Sequence, residues 1–371
     1  MKTVLFVLIL AGTASFADKA GLERWPAEKA QAWYDSLPWL VGCDFIPSTA
    51  INQLEMWQQD TFDPKTIDRE LGWAQGLGMN TVRVYLHDLV WEQDSQGFLK
   101  RIDFFLDICK KHEIRPILVL FDSCWDPHPV PGKQPLPRPH VHNSGWVQSP
   151  HVDKSRDPGA HDTLEPYLKG VIGRFKDDPR VLAWDLYNEP DSRQEDGDSL
   201  VLLKKAFTWA RQVAPCQPLT AGLWEGDWQK ENLSELNRYI LEQSDVISFH
   251  GYHDVEQTRA KVRKLKVWGR PLLCTEYMAR SAGSTFANHL PYFKENRIAA
   301  INWGLVAGKT QTQYPWESRD KEFVAEPKVW FHDIFRPDGS PYDAAEVELF
   351  RTLTAGNRPV KAARHDVKKA P

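Results

Sequence analysis

Two glutamates stand where a folded chain keeps its reactive groups. Glu189 follows the apolar run Val181–Tyr187 in the context Asn188-Glu189-Pro190, and Glu276 follows Pro271–Thr275 in Thr275-Glu276-Tyr277. Each run has strand length and stops where the carboxylate appears. A carboxylate so placed sits at the C-terminal mouth of a buried parallel strand, the end at which barrel enzymes hold their chemistry. There it can exchange a proton with a reacting group or attack an electrophilic carbon. Other candidates mark the ends of further runs. Arg83 interrupts the apolar Thr81–Leu86, and a charge in such a strand must be paired. His250 ends Val246–His250 with Tyr252 two residues beyond it, and Trp303 lies in Ala299–Leu305.

The elements that must position these residues alternate strictly. Strand-like runs are Leu40–Phe45, Thr81–Leu86, Arg115–Phe121, Val181–Tyr187, Pro218–Leu223, Val246–His250, Pro271–Thr275 and Ala299–Leu305. Between and after them lie helical patterns at Thr66–Leu77, Phe98–His112, Leu164–Phe175, Ser199–Val213, Leu233–Gln243, Val255–Val267, Thr285–Asn296 and Ala344–Leu353. Apolar residues there recur three or four apart, as in Leu200, Leu203, Phe207 and Ala210. Strand-then-helix alternation implies an α/β fold with a parallel sheet and right-handed crossovers, and eight units close it into a (β/α)8 TIM barrel. Two long loops break the rhythm. Ser123–Ala160 is rich in proline and holds four histidines; Ala307–Pro341 carries Trp316, Trp330 and Phe331. Both follow strands, so both should lie on the catalytic face and shape a cleft.

Asn-Glu-Pro followed by Thr-Glu-Tyr, in this order and at this distance, resembles glycoside hydrolase family 5 and its cellulase-like clan of retaining β-glycosidases. The resemblance implies that Glu189 is the acid/base and Glu276 the nucleophile. Retention needs two carboxyl groups about 5 Å apart, one delivering a proton to the leaving oxygen while the other attacks C1. Asn188 can donate to the sugar 2-hydroxyl as oxocarbenium character develops. The family's His-x-Tyr pair falls on His250, lining the donor-sugar subsite, and Tyr252, bonded to the nucleophile. Its strand-2 arginine falls on Arg83, whose cation is expected to lower the pKa of Glu276 while Glu189 stays protonated in a drier niche. Trp303 matches the platform under the sugar. The family's histidine near the end of strand 3 is missing here: Asp122 and Ser123 occupy that ground, with Trp125 nearby as a further substrate-binding candidate. Ser48–Trp57, after the first strand, is a source of additional donor-site contacts. The implied substrate is a β-linked oligo- or polysaccharide, hydrolysed by double displacement. Transfer to another sugar on the same site, and a catalytically silent carbohydrate-binding barrel, are the alternatives.

Composition agrees with such a partner. Sixteen tryptophans exceed the ordinary needs of a core in 371 residues, and flat aromatic faces suit the C–H patches of pyranose rings. A net charge of −4 and a pI of about 6.3 give no electrostatic case for nucleic acid or an anionic membrane. Five widely scattered cysteines form no disulfide framework and no zinc site. Cys43, Cys124 and Cys274 fall on or just after core strands and read as packing residues. His128, His140, His142 and His151 lack a convincing ligand set, so cofactor and metal are both expected to be none. Lys2 and the apolar run after it, with Ser15-Phe16-Ala17 ahead of Asp18, read as a signal peptide over 1–17, too short to span a bilayer. The mature protein is then expected to be secreted or periplasmic, with one domain over 18–356 and a basic, frayed tail over 357–371. Asp18–Leu37 is expected to hold a short helix closing the barrel floor. Oligomeric state is not legible.

Overall fold

The computed structural model describes residues 23–192 and 199–357. The expected signal peptide and most of the basic tail lie outside these residues. Nine parallel strands form one nearly closed sheet. They are β1 (Val41–Asp44), β2 (Thr81–Tyr85), β3 (Arg115–Asp122), β4 (Ala183–Asn188), β5 (Leu219–Thr220), β6 (Gly222–Leu223), β7 (Ile247–His250), β8 (Leu272–Glu276) and β9 (Ala299–Trp303). Their order is β5-β4-β3-β2-β1-β9-β8-β7-β6. Ends β5 and β6 are consecutive in the chain and flank Ala221, so they occupy one barrel position: β5 pairs with β4 and β6 with β7. The single fifth strand expected over Pro218–Leu223 is thus divided, and the eight-unit barrel closes through this seam. At Gly42 an added Cβ would meet the Thr81 carbonyl oxygen at 1.9 Å, so β1 and β2 approach here as only glycine allows.

Strand alternation sorts the side chains. On β2, Val82 and Val84 face outward into a large apolar layer shared with Leu71, Phe105 and Leu106 of the surrounding helices. Arg83 and Tyr85 take the other face and enter the barrel. Leu40, Ile117, Leu182, Val246, Leu273 and Ala299, near the starts of the strands, form the floor with Trp25, Ala30 and Tyr34. The last three belong to or precede the helix Ala27–Asp35, which plugs that end. Side-chain caps start the outer helices where the sequence offers them: Asp63, Ser234, Asp254 and Thr285 each accept from a backbone N–H of the first turn. The second outer helix begins earlier than expected, running Asp88–Lys111 with a non-helical Asp94 inside. Two short helices carry no readable period, Gln53–Trp57 and Val152–Arg156.

Candidate active site

The ends of β4 and β8 bring Glu189 and Glu276 together. A carboxylate oxygen of each lies within 4.8 Å of the other, with His250 Nδ1 inside the same radius. Glu276 is held by three hydroxyl or guanidinium donors. Arg83 donates through a terminal nitrogen to Oε1 at 3.0 Å, Tyr85 Oη to the same oxygen at 2.9 Å, and Tyr252 Oη to Oε2 at 2.7 Å. Glu189 Oε1 accepts from His250 Nδ1 at 2.6 Å, and Oε2 lies 3.2 Å from the Cys124 thiol. The backbone of Glu189 has φ +42°, left-handed for a residue that is neither glycine nor asparagine. This turn between Asn188 and Pro190 swings the carboxyl off the strand and into the mouth, strain of a kind that gathers at working sites.

Arg83 is the hub beneath the pair. It is completely buried and bonds Asp44 at 2.9 Å, Asp185 at 3.0 Å and Asn188 Oδ1 at 2.6 Å besides Glu276. Three carboxylates, the Asn188 amide oxygen and the Tyr85 hydroxyl therefore share one cation. Burial raises the Glu276 pKa above its ordinary value; the nearby His250 and Arg83 favour the charge, and Glu189 opposes it, without reversing the net direction. Arg83 pulls that pKa down as expected, but burial outweighs it and the net shift is upward, because the nucleophile candidate is the drier carboxylate. Its side chain is 6 % exposed against 15 % for Glu189, which reverses the expected order of burial.

Of the expected substrate-binding residues, Asn188, Tyr252, Trp303 and Trp125 line a cavity of about 480 Å³ over the two glutamates. Arg83 and His250 do not. Arg83 lies below the carboxylates, and His250 is wedged between them, its pKa pushed down to about 3 by burial, so it is a neutral ring donating from Nδ1. Both hold the carboxylates from behind the cavity wall. Asn188 is also more committed than expected: its amide nitrogen donates to Asp122 Oδ1 at 2.9 Å while Arg83 holds its oxygen. Asp122 in turn receives Trp146 Nε1 at 2.7 Å, and burial lifts its pKa to about 6. Ser48–Trp57 contributes nothing to the cavity wall. Its short helix turns inward, Gln53 reaching Asp122 at 3.3 Å and Trp57 Nε1 the Tyr85 carbonyl at 2.8 Å.

Several cavity residues escaped the sequence reading. Cys124, expected as packing, faces Glu189 at the cavity wall, whereas Cys43 and Cys274 are buried as expected; all five thiols are free. Tyr85 could have been found, since strand alternation puts it on the same face as Arg83. Ser192 and Trp224 border the Glu189 side, and Trp224 Nε1 donates to the Pro190 carbonyl at 3.0 Å. From the two long loops come His142, Asn143, Trp316 and His332. Trp330 of the second loop is instead buried against Tyr342. The other histidines of the first loop lie off the cavity: His128 Nδ1 faces His151 Nε2 at 3.2 Å, and His140 stacks on Tyr314. Glu189, His250 and Glu276 are close enough for their ligand atoms to surround an ion; both carboxylates and His250 Nδ1 already bond protein partners, while His250 Nε2 is buried without one among the described residues.

The arrangement can deliver a proton from one carboxyl and attack with the other, across a gap suited to a sugar ring. Comparison with known proteins agrees with it. The model of the Cellulase family, glycosyl hydrolase family 5, matches residues 47–315. A putative mannan endo-1,4-beta-mannosidase 4 of Arabidopsis thaliana is 25 % identical over 185 residues, covering 48 % of this chain and 42 % of its own. The chain spans less than half the length of the curated relatives it matches. Among solved structures, the endo-beta-1,4-mannanase of Thermotoga petrophila superposes with a TM-score of 0.57 at 16 % identity, covering 88 % of this chain and 78 % of that one. GH5_18 of Streptomyces cattleya, solved with Manβ1-4GlcNAc, gives a TM-score of 0.56 at 12 % identity, covering 90 % and 82 %. These likenesses fix the fold as a TIM barrel, and the family match extends over most of the chain: the protein belongs to glycosyl hydrolase family 5.

Proposed function

We propose that the protein is a retaining β-glycosidase that hydrolyses β-linked mannose-containing carbohydrate. The observation that carries the reading is the spacing of Glu189 and Glu276, within 4.8 Å, with opposite supports. That distance matches double displacement and leaves no room for the water that an inverting enzyme places between its carboxyls, which stand about 6.5–9.5 Å apart. Glu276, held by Arg83, Tyr85 and Tyr252, attacks C1 as Glu189 passes its proton to the departing oxygen. Water then attacks the same carbon, giving a proton back to Glu189 and freeing Glu276. Net, water's hydroxyl goes to C1 and its hydrogen to the leaving oxygen. Every donor on Glu276 favours its charged form, while Glu189 has a neutral imidazole and a thiol beside it. The mannose preference is supported by the mannanase names of the relatives. Hydrolysis of a panel of aryl β-glycosides and β-linked glucans, mannans and xylans, followed by NMR of the first-formed anomer, tests the reading. Retention on β-mannosides is expected; inversion overturns it.

We also propose that the protein is exported, supported by the apolar run after Lys2 and the small residues before Asp18. Among the described residues no helix is long and apolar enough to cross a membrane. N-terminal sequencing of protein recovered from expressing cells should begin at Asp18; an intact Met1 overturns the proposal.

A further inference from the structure

The two long loops are tied together across the mouth of the barrel. Asn143 N donates to the Thr310 carbonyl at 2.7 Å, His142 N to Ser318 Oγ at 2.9 Å, and Arg319 to the carbonyls of His142 and Asn143 at 3.0 and 3.1 Å. Arg319 also lies over the Trp125 ring, its guanidinium carbon 3.9 Å from the ring centroid. Backbone-to-backbone and guanidinium-to-backbone bonds of this kind make a bridge, not two independent flaps.

Beneath the bridge stand two buried histidines, His142 and His332, with ring centroids 5.4 Å apart. Each is tied by Nδ1 to a backbone carbonyl, His142 to Tyr314 at 2.8 Å and His332 to Met278 at 2.5 Å. A carbonyl only accepts, so both protons are on Nδ1. Burial holds the rings neutral, His142 with a pKa near 4 and His332 well below the ordinary value. Each Nε2 is therefore an acceptor with a fixed direction, on residues that line the catalytic cavity. Two such acceptors, packed beside the Trp125 and Trp316 rings at 6.2 and 6.0 Å, suit the hydroxyls of an uncharged sugar.

Their position gives them a role. Trp316 and His332 both pack on the Tyr252 ring, at 5.1 and 5.5 Å, and Tyr252 is the donor to Glu276 Oε2. The leaving group must pass Glu189, on the side of Ser192 and Trp224. The bridge joins the loops that follow β3 and β9, and Trp224 follows β6, across the barrel from the strands between those two, so the bridge and the histidine pair bound the glycone side.

We propose that the bridged loops make the cavity blind on the glycone side, so that the enzyme removes single sugars from the non-reducing end, with His142 and His332 accepting hydrogen bonds from the terminal residue's hydroxyls. This rests on the β-mannoside reading above and adds the mode of attack. The test uses β-1,4-mannotetraose reduced at its reducing end, and the same compound methylated on the terminal non-reducing 4-hydroxyl, with the full chain and its E189Q variant. Mannose and the reduced trisaccharide are expected as the first products, and the methylated substrate should react roughly tenfold or more slowly. His142→Leu and His332→Leu should each lower kcat/KM by roughly three- to tenfold while thermal unfolding stays cooperative. Ser318→Ala with Arg319→Ala should loosen the bridge and admit disaccharide release. A disaccharide as the first wild-type product, or equal rates on both substrates, overturns the blind cavity while the glycosidase reading stands. No cleavage of the unmethylated substrate or of any panel substrate overturns both.

Discussion

The thiol of Cys124 lies 3.2 Å from Glu189 Oε2, on the carboxylate face away from His250. The acid/base candidate is thus held on two sides, by an imidazole and by a group usually treated as filler. A weak neutral donor stabilises by about 0.5–1.5 kcal/mol, so Cys124→Ala should lower kcat/KM by about two- to tenfold. Burial and the neighbouring carboxylates keep the thiol well above its ordinary pKa. Iodoacetamide at neutral pH should therefore modify the exposed Cys216 first, without loss of activity, and inactivate only slowly through Cys124. Peptide mass spectrometry alongside residual activity checks the order.

The two glutamates should fail differently. Replacing Glu189 by Gln removes proton delivery, a contribution of about 10²–10⁴-fold. The loss should be large on oligosaccharides and small on aryl glycosides whose leaving group needs no proton. Replacing Glu276 by Gln exchanges the attacking carboxylate for a neutral, non-nucleophilic amide and should abolish turnover on both. Equal losses on both substrate types in Glu189→Gln would reverse or void the assignment.

The donors on Glu276 should separate into rate and stability. Tyr85→Phe and Tyr252→Phe each remove a hydrogen bond to a charged group, about 1.5–3 kcal/mol, and should lower kcat by roughly ten- to hundredfold with little change in urea midpoint. Arg83→Met should instead unfold readily. It leaves Asp44, Asp185 and Glu276 buried around a missing cation, and breaking such a buried pair costs about 3–5 kcal/mol. Urea titration of the three variants distinguishes these outcomes.

Asp333 gives stability a specific dependence on pH. Buried and bonded by Thr312 Oγ1 at 3.1 and 2.9 Å, its carboxyl has a pKa of about 7 against 3.8 for the free group. The folded state thus holds a proton that the unfolded state releases first. Between about pH 4 and 7 the unfolded chain binds fewer protons at this group, so its contribution to stability falls as pH rises. Asp333→Asn should remove that slope. Urea midpoints of both proteins at pH 4.5 and 7.5 should converge at the lower pH and favour the variant at the higher one; parallel shifts would refute the account.

The barrel was legible because its signals are local. Apolar runs of strand length and a three-to-four period in helices such as Ser199–Val213 depend on neighbours in sequence. The glutamates were legible for the same reason, each marked by the run before it. What escaped depends on where distant segments meet. Cys124 looked like filler because nothing adjacent to it shows that Glu189 turns back toward it with a left-handed backbone. Arg83 was rightly placed near Glu276 and lowers its pKa, but the net direction is set by how deeply Glu276 is buried, which no neighbour in sequence shows. The cavity wall of His142 and His332 is set by bonds between loops more than 150 positions apart, and no period encodes those.

The plug at the barrel floor sets an order of events. Trp25 N bonds Asp245 Oδ1, Tyr34 Oη the Arg297 carbonyl and Trp39 Nε1 the Ile298 carbonyl, partners separated by 220, 263 and 259 positions. The first part of the described chain to be synthesised is therefore the last to find its sockets. Through most of translation the segment around Ala27–Asp35 waits with its apolar face uncovered, and the barrel gains its bottom seal only when the last strand emerges. Contacts of such long range slow folding and leave apolar surface open to other chains meanwhile. A ribosome stalled before Ile298 would carry a barrel still open at its base.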